Sequence, residues 1–280
     1  MEFRDYTEIV FESGNVLSAK MLEETYRYPR DFLKVFHNKF CNGIVAGLDF
    51  ETRDNDVYLT SGIVKMNGRF FILSEDVNLD EWFKSQNLES QADYCLFLNY
   101  EDVLEGLNFG ISSQSRLTLQ IKNRQSSNSL LLGKYRCRSD VGILLPSLNS
   151  SRDPFEEFVQ PSFLQLLDAE YAHPRGGLTY HPLIFRAIQN YLEQKFPLSP
   201  YDFTLLTEIQ NHGIVAKSTL KSYIAVNQKI SSISDQMTNE EFFQMLVKCV
   251  QIPYKPMAQY ESISKQNSDE IRLRRQSKLI

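Results

Sequence analysis

The chain has 280 residues, 42% of them hydrophobic and 12% aromatic, with a formal net charge of −5 from 30 basic and 35 acidic residues. That length accommodates two domains with separate cores, and the composition excludes a disordered chain. The near balance of charge gives no overall pull toward nucleic acid or an anionic membrane, and no apolar run approaches the roughly 20 residues that span a bilayer.

The opening segment, MEFRDYTEIVF, is charged from Glu2 onward and does not read as a signal peptide. Cys41, Cys95, Cys137 and Cys249 are scattered with no CxxC pair, the pattern of free thiols in a reducing compartment. After Ser18 the pairs Met21/Leu22, Phe32/Leu33 and Val35/Phe36 recur at helical spacing. Pro29 interrupts them, which predicts two short helices with Pro29 in the first turn of the second. From Cys41 to Leu73 the pattern changes to alternating or continuous apolar runs punctuated by glycine, which is strand behaviour. DFETRDNDV, with Asp49, Glu51, Asp54 and Asp56, lacks the glycine and distal glutamate of a calcium loop and reads as a solvated hairpin turn.

YLTSGIVKMNGRFFIL (58–73) is the most informative stretch. Asn67-Gly68 between two apolar runs favours a type I′ turn, which needs positive φ at both central residues. Pairing outward sets Met66 opposite Arg69, Lys65 opposite Phe70, Val64 opposite Phe71 and Ile63 opposite Ile72. One face then carries Val64, Met66, Phe71 and Leu73, and the other Ile63, Phe70 and Ile72. A sheet with one wet face alternates apolar with polar; this one is apolar on both and calls for cover on each side, by a second layer or another subunit.

Trp82 beside Phe83 reads as core or hinge packing. Further strands are predicted at 93–100, 116–122 and 130–138, with EDVLEGLNFG between the first two as a loop. Short strands at this spacing suggest a β-sandwich or a partly closed barrel. PSLNSSRDP (146–154) is the candidate boundary. Beyond it, Phe155, Phe158, Phe163, Leu164 and Leu167 suggest one helical region, and Pro182 opens another helix. Ser199 is a predicted N-cap with Pro200 and Asp202 following, and Thr238 with Glu241 forms a predicted capping box. The fold class is therefore α+β: short helices, a sandwich or partly closed barrel, then a helical bundle. The predicted divisions are a β-rich domain over 1–148, a helical domain over 149–260 and a flexible basic tail over 261–280.

No Walker loop, GxGxxG, GxSxG, HExxH or spaced Cys/His set is present, so no catalytic residue, metal ligand or cofactor is assigned. DAEYAHPRGGLTYHP offers Asp168, Glu170, His173 and His181, either as ligands of a hydrolytic metal site or as a polar loop between helices; the loop is the reading adopted. Arg272, Arg274, Arg275 and Lys278 could meet phosphates, but no aromatic residue interleaves them as a single-strand-binding surface needs.

The order FESGNVLSAKMLEETYRYPRDFL, NGIVAGLDF, VYLTSGIVKMNGRFFIL and LLLGKYRCR, followed by helices, resembles the TssK-type baseplate proteins of type VI secretion systems. It is equally similar to the N-terminal β-domains of phage tail adaptor and receptor-binding proteins. The hairpin turn departs from the family's PDG, being Asn67-Gly68-Arg69. The chain is also short for the family's additional C-terminal head, so docking to a membrane complex is not expected. The resemblance implies a non-enzymatic structural adaptor, trimeric, joining the baseplate of a contractile or phage-like tail to other baseplate or tail proteins. The implied location is cytoplasmic or virion- and tail-associated, without membrane insertion. Val64, Met66, Phe71 and Leu73 become the expected interface with a neighbouring protomer. A receptor- or glycan-binding tail module and a nucleic-acid-associated factor are the alternative readings.

Overall fold

The computed structural model describes residues 19–86, 88–107, 110–124, 128–137, 142–148, 153 and 155–253, with side chains of 19–24, 26, 28, 30 and 103–115 excepted. The basic tail with Arg272, Arg274, Arg275 and Lys278 lies outside these residues, as does most of the 146–154 boundary segment.

Helix α1, Ala19–Phe36, is continuous through Pro29, not the two short helices expected. Proline removes one backbone donor and crowds the preceding turn, a cost that ends many helices; here the turns on either side carry the helix through. Strands β1 (Gly43–Gly47), β2 (Phe50–Arg53), β3 (Asp56–Leu59), β4 (Gly62–Met66), β5 (Arg69–Leu73) and β6 (Val77–Asn78) follow, then helix α2 (Leu79–Lys84) with Trp82 half-buried against the core. The β2–β3 turn places Asp54 and Asn55 at φ 51° and 72°, positive as a tight two-residue hairpin requires. The backbones of β1 and β4 cross closely where Gly47 pairs with Gly62. A Cβ on Gly62 would lie 2.6 Å from the Ala46 carbonyl oxygen, so no larger residue fits without moving a strand.

Strands β7 (Asp93–Leu107) and β8 (Gly110–Lys122) form one long ladder, with β9 (Ser129–Arg136) on the other edge of β7. EDVLEGLNFG is therefore mostly strand and not the expected loop: its backbone pairs from Glu101 opposite Arg116 to Leu107 opposite Gly110. Pairing with the neighbouring strand β8 overrode a segment whose own periodicity is unclear. The described strands make three sheets, in orders β11-β10-β1-β4-β5, β2-β3-β6 and β8-β7-β9, and no closed barrel occurs among them. Ile44, Leu59, Val64, Leu96 and Leu132 from all three sheets share one core.

Residues 155–167 correct a second expectation. They form a single 3-10 turn, Glu156–Phe158, and then an extended run in which Gln165 pairs with Lys134 of β9. Proline at 161 and the pull of a free strand edge account for the loss of helix. Leu164 and Leu166 enter the β core, while Phe155, Phe158 and Leu167 enter the helical one. Next, β10 (Tyr171–Ala172) pairs in parallel with β1 at Ile44 and antiparallel with β11 (Leu178–Thr179). The Tyr171 hydroxyl donates to the Leu48 carbonyl at 2.9 Å, helping to hold Leu48 at φ 55°, a conformation unusual for leucine.

Helices α3 (Pro182–Gln194), α4 (Pro200–His212), α5 (Lys217–Gln228) and α6 (Asn239–Gln251) complete the described chain, which is a mixed α+β fold with six α-helices among the described residues. The Ser199 hydroxyl accepts from Asp202 N, and the Asp202 carboxylate accepts from Ser199 N at 3.1 Å. Thr238 and Glu241 repeat that reciprocal box on α6. Asp202 does more than cap. Only 2% exposed, it also accepts from Lys195 Nζ at 2.8 Å and from the Tyr223 hydroxyl at 2.5 Å, while Lys195 Nζ reaches the Val250 carbonyl at 2.8 Å. Asp202 and Lys195 together thus tie the end of α3 to α4, α5 and α6.

Burial alone would raise the Asp202 pKa, but the bonds from Lys195, Tyr223 and Ser199 outweigh it and hold the group below the ordinary carboxylate range. Stability from this group is present above the unfolded pKa near 3.9 and is lost as pH falls through the lower folded value. Asp202→Ala is expected to destabilise by about 3–5 kcal/mol, because Lys195 is left buried and unpaired. Urea midpoints of Asp202→Asn measured across acidic pH should fall less steeply than those of the wild type below about pH 4.

Candidate assembly surface

The hairpin closes at Asn67 and Gly68, with φ 49° and 71°, and its register is Met66 with Arg69, Lys65 with Phe70, Val64 with Phe71 and Ile63 with Ile72. Val64 and Met66 are 3% and 7% exposed within the single chain. Phe71 meets Tyr100 edge-on at 5.9 Å, and Leu73 packs half-buried on the same core. Arg69, at the tip of this face, lies 3.7 Å from Asp102. The expected interface quartet therefore lies against the chain's own core, and on the opposite face Ile72 is exposed.

That outer face is partly covered. The turn leaving α1 crosses it and is held by Lys65, whose Nζ donates to the carbonyls of His37, Asn38 and Phe40 at 3.2, 3.2 and 2.7 Å. The same ammonium sits 5.7 Å from the Phe70 ring centroid, a cation–π contact. Rings run in sequence from α1 to the hairpin: Phe32 on Phe36 at 5.6 Å, Phe36 on His37 at 4.8 Å, and His37 on Phe40 and Phe70 at 5.1 and 5.8 Å. Burial, and then the Lys65 charge, push the His37 pKa down, so this aromatic run is uncharged at neutral pH. Its two ends are open to solvent: Ile72 is 63% exposed, and Phe32, Val35 and Phe36 are 53%, 78% and 66% exposed. Sequence reasoning reached Ile72 but missed Lys65, whose importance depends on carbonyls 25 to 28 residues away.

The histidine segment is neither of the alternatives raised for it. It is the β10–β11 hairpin, and both histidines are buried, His173 at 3% and His181 at 1%. Each uses Nδ1 locally, His173 accepting from Arg175 N at 3.1 Å and His181 accepting from Leu183 N at 3.0 Å as the N-cap of α3. Asp168 bonds Lys134 and Asn239 instead of joining them. Among the described residues no group of three or more His, Cys, Asp or Glu side chains could hold a metal ion. Nearby, a cleft of about 330 Å³ is lined by Asp49, Tyr171 and Arg186 among others. Burial pushes the Asp49 carboxyl up, partly offset by the Arg186 charge. The four cysteines are free, and no helix among the described residues is long and apolar enough to cross a membrane.

Neither a protein-family model nor a curated protein sequence matches the chain. Among solved structures it is similar to a crystal structure of TssK, at 11% identity over 90% of this chain and 71% of that one, with a TM-score of 0.29. It is also similar to a chain of the TssK-TssF-TssG baseplate subcomplex of the type VI secretion system, determined by cryo-electron microscopy, at 12% identity over 89% of this chain and 100% of that one, TM-score 0.32. A chain of the baseplate complex from the type VI secretion system gives 10% identity, the same coverage and the same TM-score. At this identity and TM-score the likeness carries no functional argument.

Two measurements probe this region. Lys65→Met should free the 37–40 turn, at a cost of about 1.5–3 kcal/mol for lost charge-assisted bonds, and speed tryptic cleavage at Lys34 and Lys39. His181 is pushed down to about 3 by burial and then by Arg186, so below the unfolded value near 6.5 the unfolded state alone takes up the proton. The wild type should therefore lose about 2 kcal/mol between pH 7 and pH 5, and urea midpoints of His181→Asn, which keeps a cap and cannot titrate, should not show that loss.

Proposed function

We propose that the chain is a non-enzymatic structural component of a baseplate-type assembly, which self-associates as a trimer and bridges neighbouring components of a contractile or phage-like tail. One observation carries the reading: a run of rings links Phe32 and Phe36 through His37 to Phe70, Ile72 follows on the same face of the strand, and Phe32, Phe36 and Ile72 are all more than half exposed. Surfaces of that kind on a folded protein mark sites of association. The order of sequence segments, which resembles that of TssK-type proteins, supports the baseplate context.

The bridging role draws on the far part of the molecule. At the α3–α4 corner Phe196, Tyr201 and Phe203 are 95%, 50% and 62% exposed, offering aromatic contacts to a second component. In this reading residues 1–148 are the self-associating unit, with sheets packed as a sandwich. Residues 149–260 form the helical bundle that meets the next component, and residues 261–280 form the tail. Val64, Met66, Phe71 and Leu73 support the outer face from the core side.

Light scattering on the full chain tests the proposal. Ile72→Asp is expected to lower the assembled mass while leaving the circular dichroism and thermal midpoint close to wild type. Val64→Asp, which buries a charge in the core, should instead unfold the β-rich part. A wild-type chain that stays monomeric at high concentration and low salt overturns the proposal.

A further inference from the structure

The cleft beside Tyr171 holds two opposite charges that do not pair with each other. Strand β1 meets β10 only at Ile44, so no described strand pairs with Val45, Ala46 or Gly47 on that side, and all three line the cleft. Asp49 follows, just past the left-handed Leu48. A second wall comes from α3, where Pro182, Arg186 and Gln189 recur at i, i+4 and i+7 and share one face of the helix. The end of α4 and the residues after it add His212 and Ile214, and the space enclosed is about 330 Å³.

Each charge is short of partners. Among the described residues the Asp49 carboxylate accepts only from the Tyr171 hydroxyl at 3.4 Å, and that hydroxyl makes its shorter bond, 2.9 Å, to the Leu48 carbonyl. Arg186 has no hydrogen bond or ion pair to any described residue, although its charge acts on Asp49, Tyr171 and His181. The two groups therefore feel each other across a gap wider than the 4.0 Å of a direct ion pair. Burial raises the Asp49 carboxyl, and the Arg186 charge offsets this only in part, so the chain by itself leaves that carboxylate under-stabilised. His212 is turned to Glu208, at 3.9 Å.

We propose that this cleft binds a small zwitterion of the amino-acid or short-peptide class, its ammonium on Asp49 and its carboxylate on Arg186. Charge sets the class. A plain anion would satisfy Arg186 and be repelled by Asp49, and a plain cation would do the reverse; a ligand bearing both signs answers both. The planar guanidinium matches a carboxylate with two parallel bonds. An ammonium and a carboxylate one or two residues apart, at ~3.5 Å per residue, bridge a gap too wide for direct pairing. The uncovered edge of β1 faces the main chain of such a ligand, as sheet edges do when they take up extended peptides. Val45 and Ile214 supply apolar surface for its side chain. The volume sits near the lower end of small-molecule sites, roughly 300–1,000 Å³, which suits a ligand of this size. The inference is independent of how the chain assembles.

The test titrates the full chain with leucine, alanyl-leucine, N-acetyl-alanyl-leucine and alanyl-leucine amide, read by saturation-transfer difference NMR. Saturable binding of leucine or of alanyl-leucine is expected, and the tighter of the two identifies the source as free amino acid or peptide. Capping either end of the dipeptide should weaken binding about tenfold or more. Arg186→Gln should weaken the free dipeptide and leave the amide unchanged, whereas Asp49→Asn should weaken the free dipeptide and leave the acetylated form unchanged. Both variants should keep a thermal midpoint close to wild type. The capped ligands probe the wild type itself, so the test survives a variant that fails to fold. Equal binding of the free and acetylated dipeptides marks a plain anion site and overturns the proposal, as does equal binding of the free dipeptide and its amide. Wild-type affinity in both folded variants, or no saturable binding of either uncapped ligand up to about 10 mM, overturns it as well.

Discussion

A strand presents alternate residues to opposite sides, so a hairpin whose two strands are apolar at nearly every position has two surfaces to cover. In this chain the Val64 face is covered by the core of three sheets, and the Ile72 face is not. Residues that a hydrophilic edge would hand to water are instead joined to the exit of α1 by a line of rings. Lys65 makes that junction specific. Its ammonium gathers three backbone carbonyls and faces the Phe70 ring, so the turn after α1 lies against the hairpin in one arrangement.

Behind this surface the rest of the molecule is cross-linked by packing and polar contacts. Residues 155–167 feed leucines into the β core and phenylalanines into the helical core, and β10 adds itself to β1. Lys134, Asp168, Asn239 and Lys217 continue the link as a chain of polar contacts from β9 to α5 and α6. Farther out, the buried Asp202–Lys195 pair joins the end of α3 to α4, α5 and α6. A buried charge is costly unless its bonds are filled, and here they come from the α4 cap, the end of α3 and α5. Polar groups in the interior are thereby spent on architecture. His173 and His181 illustrate this: each ring uses Nδ1 to satisfy a backbone N–H, and neither Nδ1 is open to a ligand.

Much of the local structure was legible because its causes are local. The Asn67-Gly68 turn fixes its own backbone and with it every cross-strand pair of the hairpin. Ser199 with Asp202, and Thr238 with Glu241, complete their bonds within four residues, so the starts of α4 and α6 follow from the residue types. The errors share one feature. EDVLEGLNFG takes its form from pairing with the strand that follows it, β8, while residues 155–167 and the histidine segment pair with residues farther off in sequence, Lys134 and Ile44 respectively. Nothing within such a segment marks the partner that will pair with it.

The sequence by itself determined which residues could form a two-sided apolar hairpin and where the capped helices begin. Hydrophobic periodicity, turn chemistry and capping act over a few residues and need no knowledge of the whole. The tertiary structure alone decided which face of the hairpin is enclosed, that Lys65 closes over its other side, that 101–107 run as strand, and that 155–167 form a 3-10 turn and an isolated bridge in place of the predicted helix. Burial depends on what stands opposite, and contacts across 25 to 124 residues of chain, from Lys65 with Phe40 to Tyr171 with Gly47, are set by how separate elements pack.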